Sequence, residues 1–298
     1  MNDNKNIKAE MTNSSKVYAL FYSFFLIPLM LTIFGVLFFF LFKMLTYEKQ
    51  DPYHLLNNIQ SVALTKRWQS AYELSNLMRD FDNIPNDQLF NNQLISMYQK
   101  SIHDDPRVRT YLALAMGQTK NDVFCESLYE GLNDKNLENK IAAINSSGQI
   151  ECQQCISIIN DLIINGENNQ EKLASVIAAG NMADESSTSL LILALDDEEA
   201  NIRWDAAIAL AKMGDNSGAN IIEGLLDREY LNQFKQIDPI EEKRVLMVAI
   251  KTASILFDKR FEDELNSLSK NDKDLSVRNA AIKALENNYS KMEPITDE

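Results

Sequence analysis

The sequence predicts an all-α chain, an α-solenoid of stacked helix pairs preceded by one transmembrane helix. A basic residue followed by a small-apolar pattern recurs along it, as in Arg67-Trp68-Gln69-Ser70-Ala71-Tyr72-Glu73-Leu74 and Arg203-Trp204-Asp205-Ala206-Ala207-Ile208-Ala209-Leu210. Val17 to Phe42 is a run of 26 residues without a charge. Strand-type alternation is missing, and the 298 residues hold only nine glycines and six prolines, so helix formers dominate.

Residues 1–16 read as a short polar segment. The apolar run 17–42 follows, and about 20 apolar residues suffice to cross a bilayer core as a helix. Pro28 and Gly35 fall inside it, as both do in membrane helices. A secretory signal has a shorter apolar region and a small-residue cleavage site; Lys43-Met44-Leu45-Thr46-Tyr47 offers none, so the run reads as an uncleaved single-pass anchor. Lys5, Lys8, Lys16 and the terminal amine outweigh Lys43 and Lys49. That balance favours a cytoplasmic amino terminus and a large domain on the extracytoplasmic side of the membrane. A linker, 43–51, leads into that domain.

Beyond residue 50 the chain carries 24 basic against 40 acidic residues, a net charge of −16. Such a domain repels phosphate backbones and anionic lipid surfaces, which argues against nucleic acid as a partner.

Aligning Arg109, Lys140, Lys172, Arg203, Arg244 and Arg278 gives spacings of 31, 32, 31, 41 and 34 residues, with Arg67 another 42 ahead. A period in this range marks a solenoid of helix pairs. Six residues after the basic position stand Ala115, Ser146, Ala178, Ala209, Ile250 and Ala284; eight after it stand Gly117, Gly148, Gly180 and Ala211. The glycine column sits where a first helix must end or let its neighbour approach closely. The second helices carry Leu128 and Leu132; Ile158, Ile159, Leu162 and Ile163; Leu190, Leu191, Ala194 and Leu195; Ile221, Ile222, Leu225 and Leu226. Each set is one apolar helix face.

This pattern resembles the HEAT repeat, in the short variety of the phycobilin lyases. Asp105-Pro106-Arg107-Val108-Arg109, Asn201-Ile202-Arg203-Trp204-Asp205-Ala206-Ala207-Ile208-Ala209-Leu210 and Ser276-Val277-Arg278-Asn279-Ala280-Ala281 carry the resemblance, which covers roughly residues 52–290. It implies about six to seven repeats forming a curved scaffold, with an acidic tail, 291–298, expected to fray. It also implies a structural ladder in which Arg109, Arg203, Arg244 and Arg278 pair with acidic residues of neighbouring turns. Candidates are Asp104, Asp105, Asp134, Asp196, Asp197, Asp272 and Asp274. Lys140 and Lys172 depart from the pattern and lose bidentate pairing.

Residues 80–98 and 227–242 read as insertions, the second presenting Tyr230 and Phe234 on a loop. Trp68 and Trp204 follow the basic residue in a column otherwise varied, which suggests a rim. Tryptophan and arginine are favoured interface anchors, so Arg67, Trp68, Trp204, Tyr230 and Phe234 are the candidate partner contacts. Packing between first helices is the competing reading for the tryptophans.

The three cysteines are Cys125, Cys152 and Cys155; plain buried or partly buried thiols are the leading reading, and Cys125 with either of the others suits a disulfide if the domain faces an oxidising compartment. Cys152-Gln153-Gln154-Cys155 is also a lone CxxC; with no second one and only His54 and His103 as histidines, neither zinc nor any other cofactor is expected. No nucleophile elbow, Walker loop, dinucleotide fingerprint or HExxH is present, so the sequence predicts no catalysis. The leading expectation is a non-catalytic membrane-anchored scaffold whose partner is another protein, such as a membrane complex with a basic surface. The alternative implied by the resemblance is a lyase or chaperone-like handler of a small molecule, which needs an enclosed apolar pocket.

Overall fold

The computed structural model describes residues 21–45, 51–235 and 237–289. The polar segment 1–16 and the tail 291–298 lie outside the described residues. The chain divides into two compact units, residues 1–50 and 51–298.

In the first unit a π-helical turn, Tyr22–Leu26, runs into α1, Ile27–Leu45. Pro28 has no amide to offer the carbonyl four residues back, which is a physical reason for the ladder to widen just ahead of it. The Thr32 hydroxyl donates to the Pro28 carbonyl at 2.8 Å. The helix is long and apolar enough to cross a membrane, and none of its residues is buried.

Among its described residues the second unit consists of helices joined by turns, with no strand. A leading helix, α2 (Pro52–Ile59), packs on α3 (Leu64–Leu77), the first helix of the array. In chain order then come α4 (Gln88–Lys100), α5 (Pro106–Gln118), α6 (Cys125–Gly131), α7 (Leu137–Gln149), α8 (Ile156–Asn165), α9 (Asn169–Met182) and α10 (Thr188–Ala194), first and second helices alternating, with each second helix packed on the first helix of the next unit. Then come α11 (Ala200–Lys212) and α12 (Ala219–Leu226), a short α13 (Arg228–Leu231), α14 (Pro239–Leu256), which packs on α12, and α15 (Phe261–Asn271), which packs on α16 (Leu275–Ala284). Each first helix packs on the first helix of the next pair, which makes the array a solenoid.

Local chemistry sets the helix ends. Asp105, Asn136, Asn168, Asp238 and Asp274 each cap a first helix, their side chains accepting from backbone amides of the first turn. At the other end the chain turns through the left-handed region at Lys120 (φ 51°), Glu151 (54°), Ala183 (49°), Gly214 (78°) and Phe257 (54°). Only one of these is glycine.

The glycine column therefore serves close approach and not helix termination. A Cβ on Gly148 would stand 2.6 Å from the Cα of Ala178, and one on Gly180 2.5 Å from the Cβ and 2.8 Å from the Cα of Ala209. On Gly117 it would stand 2.9 Å from the Cα of Ser146. The residue eight after the basic position thus meets the residue six after it in the next unit. At the following step those columns hold Ala211 and Ile250, which cannot nest so closely, and the apolar core divides there into two clusters.

Two expectations change. Residues 80–98 are not an insertion: after a short turn at Phe81–Asn83 they form most of α4, which buries Phe90, Leu94, Met97 and Tyr98. Residues 227–242 contain α13 and the first turn of α14; Leu231 is buried in the core and Tyr230, Phe234 and Ile237 pack against it, while Asn232, Gln233 and Ile240 stay exposed.

Candidate interaction surface

The basic column forms a ladder of contacts between units. Arg67 pairs with Asp104 at 2.9 Å, Arg109 with Asp134 at 2.7 Å, Lys140 with Glu171 at 3.1 Å and Lys172 with Asp197 at 3.8 Å. Arg109 is buried, stacks over the Tyr98 ring at 4.0 Å and donates to the Tyr98 carbonyl at 2.7 Å. Asp105 instead pairs with Arg107 in its own helix at 2.6 Å.

The later rungs differ from the expected acid pairing. Arg203 donates to the main-chain carbonyls of Asp197 (2.7 Å) and Glu198 (2.8 Å), and Arg278 to that of Asp272. The Asp272 carboxylate is taken by Arg228 of α13, at 2.6 and 2.9 Å, and the same guanidinium reaches Glu242 at 2.8 Å. Burial pushes both carboxyls up, but the guanidinium and, for Glu242, Lys273 more than offset it and hold them below the usual range. Arg244, displaced from the ladder, is exposed and makes no ion pair among the described residues. Sequence spacing missed Arg228 because it belongs to no column of the repeat.

The aromatic candidates fall into packed positions. Trp204 is 6% exposed, meets Phe234 edge-on at 4.8 Å between centroids and directs its indole N–H at the Tyr230 hydroxyl, 3.4 Å away. Tyr230 and Phe234 are half-buried and meet each other edge-on at 5.3 Å. The rim and exposed-loop readings of these three are corrected, because α13 folds back and closes over Trp204. Trp68 is half-buried, with the Arg107 guanidinium 4.3 Å above its ring.

Cys125 of α6 is bridged to Cys152, in the turn after α7, with 5.5 Å between their Cα atoms. Cys155 is a buried free thiol, its sulfur 3.4 Å from that of Cys152, and burial raises its pKa. Among the described residues no group of three or more His, Cys, Asp or Glu side chains could hold a metal ion.

The open surface of the first-helix layer was not singled out from sequence. A recess of about 230 Å³ crosses four successive first helices and is lined by Ser75, Arg79, Leu114, Gln118, Asn145, Gln149, Ile177 and Asn181. A second, of about 560 Å³, is lined by Leu173, Ile177, Trp204, Ile208, Val245 and Val248 among its apolar residues, with Asp205, Glu241 and Arg244 beside them. Ile177 lines both, so the two meet at one side chain. Burial pushes the Asp205 carboxyl up to about 6, and Lys212 pulls it back only in part. A third recess, of about 540 Å³, lies near the start of the array and is lined by Arg67, Met97 and Val108 among others.

The family described as HEAT repeats matches residues 156–233. The fold is a HEAT/armadillo-type α-solenoid. Among solved structures, the complex of CpcE and CpcF of phycocyanin lyase from Nostoc sp. PCC7120 is similar, with a TM-score of 0.58 and 15% identity over 85% of this chain and 92% of that one. Human deoxyhypusine hydroxylase in complex with glycerol aligns over 79% of this chain and 83% of that one, at a TM-score of 0.35 and 14% identity. A designed armadillo repeat protein in complex with the peptide (KR)4 aligns over 80% and 99%, at 0.40 and 16%. At such identities the likeness is one of fold alone. No curated protein sequence matches.

Proposed function

We propose that this chain is a membrane-anchored docking scaffold that holds another protein against the open face of its first helices. The observation that carries the reading is the recess that crosses four successive first helices. A surface assembled from one column of many repeats is what a solenoid offers to an extended partner. The apolar α1 supplies the anchor, which raises the local concentration of anything docked beside it. The Cys125–Cys152 bridge suits an oxidising compartment and so supports a solenoid outside the cytoplasm, in line with the lysine balance around the apolar run. With a net charge of −16 over residues 51–298, the domain steers partners with basic surfaces toward it, and a basic loop of a membrane complex fits that description.

Photo-crosslinking residues placed in the full-length chain test this reading in native membranes. One set replaces Leu114 and Ile208 in the groove; another replaces the exposed Leu193 and Ile164 of the second helices. The expected result is one protein species crosslinked from the groove positions. Absence of a protein adduct at every position, with a small molecule carried through purification, would replace the scaffold by the ligand-handling reading.

A further inference from the structure

Three sulfur atoms meet where two units join. Cys152 holds the bridge to Cys125, and the Cys155 sulfur stands 3.4 Å from that of Cys152. Cys152 and Cys155 are buried, whereas Cys125 is half-buried and is the least enclosed of the three. Cys152 also occupies a capping position. In the neighbouring units Asn121 and Asp184 stand at the same place ahead of a short 3₁₀ turn, and each side chain accepts from an amide of that turn. Cys152 makes no such cap, so this unit has a sulfur where its neighbours have a helix-end hydrogen bond.

The local backbone brings Cys152 and Cys155 into range of each other. The Cys155 amide donates to the Cys152 carbonyl at 2.9 Å, closing a four-residue turn. The Cα atoms at the ends of such a turn lie within about 7 Å, and a disulfide spans about 4.4–6.8 Å. A bond between Cys152 and Cys155 therefore needs little movement of the main chain. The nucleophile in thiol–disulfide exchange is the thiolate. Burial raises the pKa of Cys155, and the Ser147 hydroxyl pulls it back part of the way. That hydroxyl is fully buried and has no partner in the resting protein, while the Ser147 carbonyl accepts from the Cys152 amide at 2.9 Å. A thiolate at Cys155 would supply the acceptor that the hydroxyl lacks.

We propose that the three cysteines form an internal exchange site, which moves the bridge from Cys125–Cys152 to Cys152–Cys155 and frees Cys125 as a modifiable thiol. The Cys155 thiolate attacks the Sγ atom of Cys152. The new bond forms as the Cys125–Cys152 bond breaks, and Cys125 leaves as a thiolate that takes up the proton Cys155 lost. One disulfide and one thiol are present before and after, so no oxidant or reductant is consumed. A bridge that ties two units becomes one confined to a single turn, and α6 is then held to the α7–α8 turn by packing alone. The freed Cys125 is open to alkylation and to exchange with an external disulfide, which releases one thiolate for each mixed disulfide formed.

The test uses full-length oxidised protein in nanodiscs. It is incubated with N-ethylmaleimide, quenched in acid, digested with pepsin and mapped by mass spectrometry. The expected product carries the label on Cys125 together with a Cys152–Cys155 disulfide. Ser147→Ala should slow that labelling about threefold through loss of a donor to the thiolate. Cys155→Ser, which retains both bridged cysteines, should take no label. In Cys125→Ser, oxidation by diamide should close a Cys152–Cys155 bond within the chain. The proposal is overturned if the label sits on Cys155 with the Cys125–Cys152 bridge intact, or if native protein stays unlabelled while urea-unfolded protein is labelled. Labelling of Cys155→Ser as fast as the unsubstituted protein, or diamide products of Cys125→Ser that are linked only between chains, would overturn it equally.

Discussion

Gly180 and Ala183 stand three residues apart at the end of α9 with opposite requirements. Helix propensity favours alanine over glycine by about 1 kcal/mol. A methyl group on Gly180, however, would press on the Cβ and Cα of Ala209 and force two helices apart, at a cost of about 1–3 kcal/mol. Gly180→Ala is expected to destabilise, whereas Ala183→Gly, at φ 49°, relieves a left-handed alanine and should stabilise by up to about 1 kcal/mol. Urea unfolding of the two variants reads both signs. Asp205 supplies a third residue-scale expectation. Its folded pKa of about 6 lies above the ordinary carboxylate value, so folding favours the protonated form. Stability contributed by this group rises as pH falls through 6 toward 4, and the penalty is fully present above 6. Asp205→Asn should stabilise the fold by about 1–3 kcal/mol at pH 7.5 and change little at pH 4, which denaturant midpoints across pH will show. Sequence columns located Gly180 but left its role open between turn and contact. No column marks the buried environment that perturbs Asp205.

At the scale of elements, α13 shows how a four-residue helix can rewire a repeat. Arg228 occupies the acid that the ladder would otherwise give to the next unit, and buries two carboxylates with it. Arg228→Ala would leave Glu242 and Asp272 buried beside too little positive charge, an expected loss of about 3–5 kcal/mol. Thermal melts of this variant beside Lys243→Ala, whose half-exposed pair with Asp274 should matter far less, make the comparison. Most elements were legible from pattern, because an apolar helix face repeats in sequence as regularly as the core it fills. The second helices bury most of the residues that their register singled out, Ile159, Leu162, Leu191, Ile222 and Leu225 among them, with Ile158, Leu190, Leu195 and Ile221 half-buried. α4 was misread as an insertion because Phe90, Leu94, Met97 and Tyr98 follow a different spacing on a longer helix. α13 escaped notice because its packing partners, Trp204 and Gly224, are distant in sequence or hidden in another column.

For the whole molecule, each first helix touches mainly its neighbours, so stability is built as a sum of units and the links between them. The Cys125–Cys152 bridge ties two such units across 27 residues of chain. Closing a loop of that length stabilises by about 3–4 kcal/mol in the chain-entropy view. Adding a reducing agent, or the Cys125→Ser substitution, should lower the midpoint of urea unfolding by a matching amount, and an unchanged midpoint would show that the bridge constrains nothing. The sequence by itself determined the all-α class, the solenoid, the apolar helix ahead of it and the acidic character of the domain, because periodicity and composition are local or cumulative properties of the chain. Only the tertiary structure decided that the glycines serve close helix contact, that Trp204 and Phe234 face inward, that Arg228 and not Arg244 completes the ladder, and that Cys152 and not Cys155 takes the bridge from Cys125. Those outcomes depend on which columns of neighbouring units meet, and meeting is a property of packed helices and not of spacing.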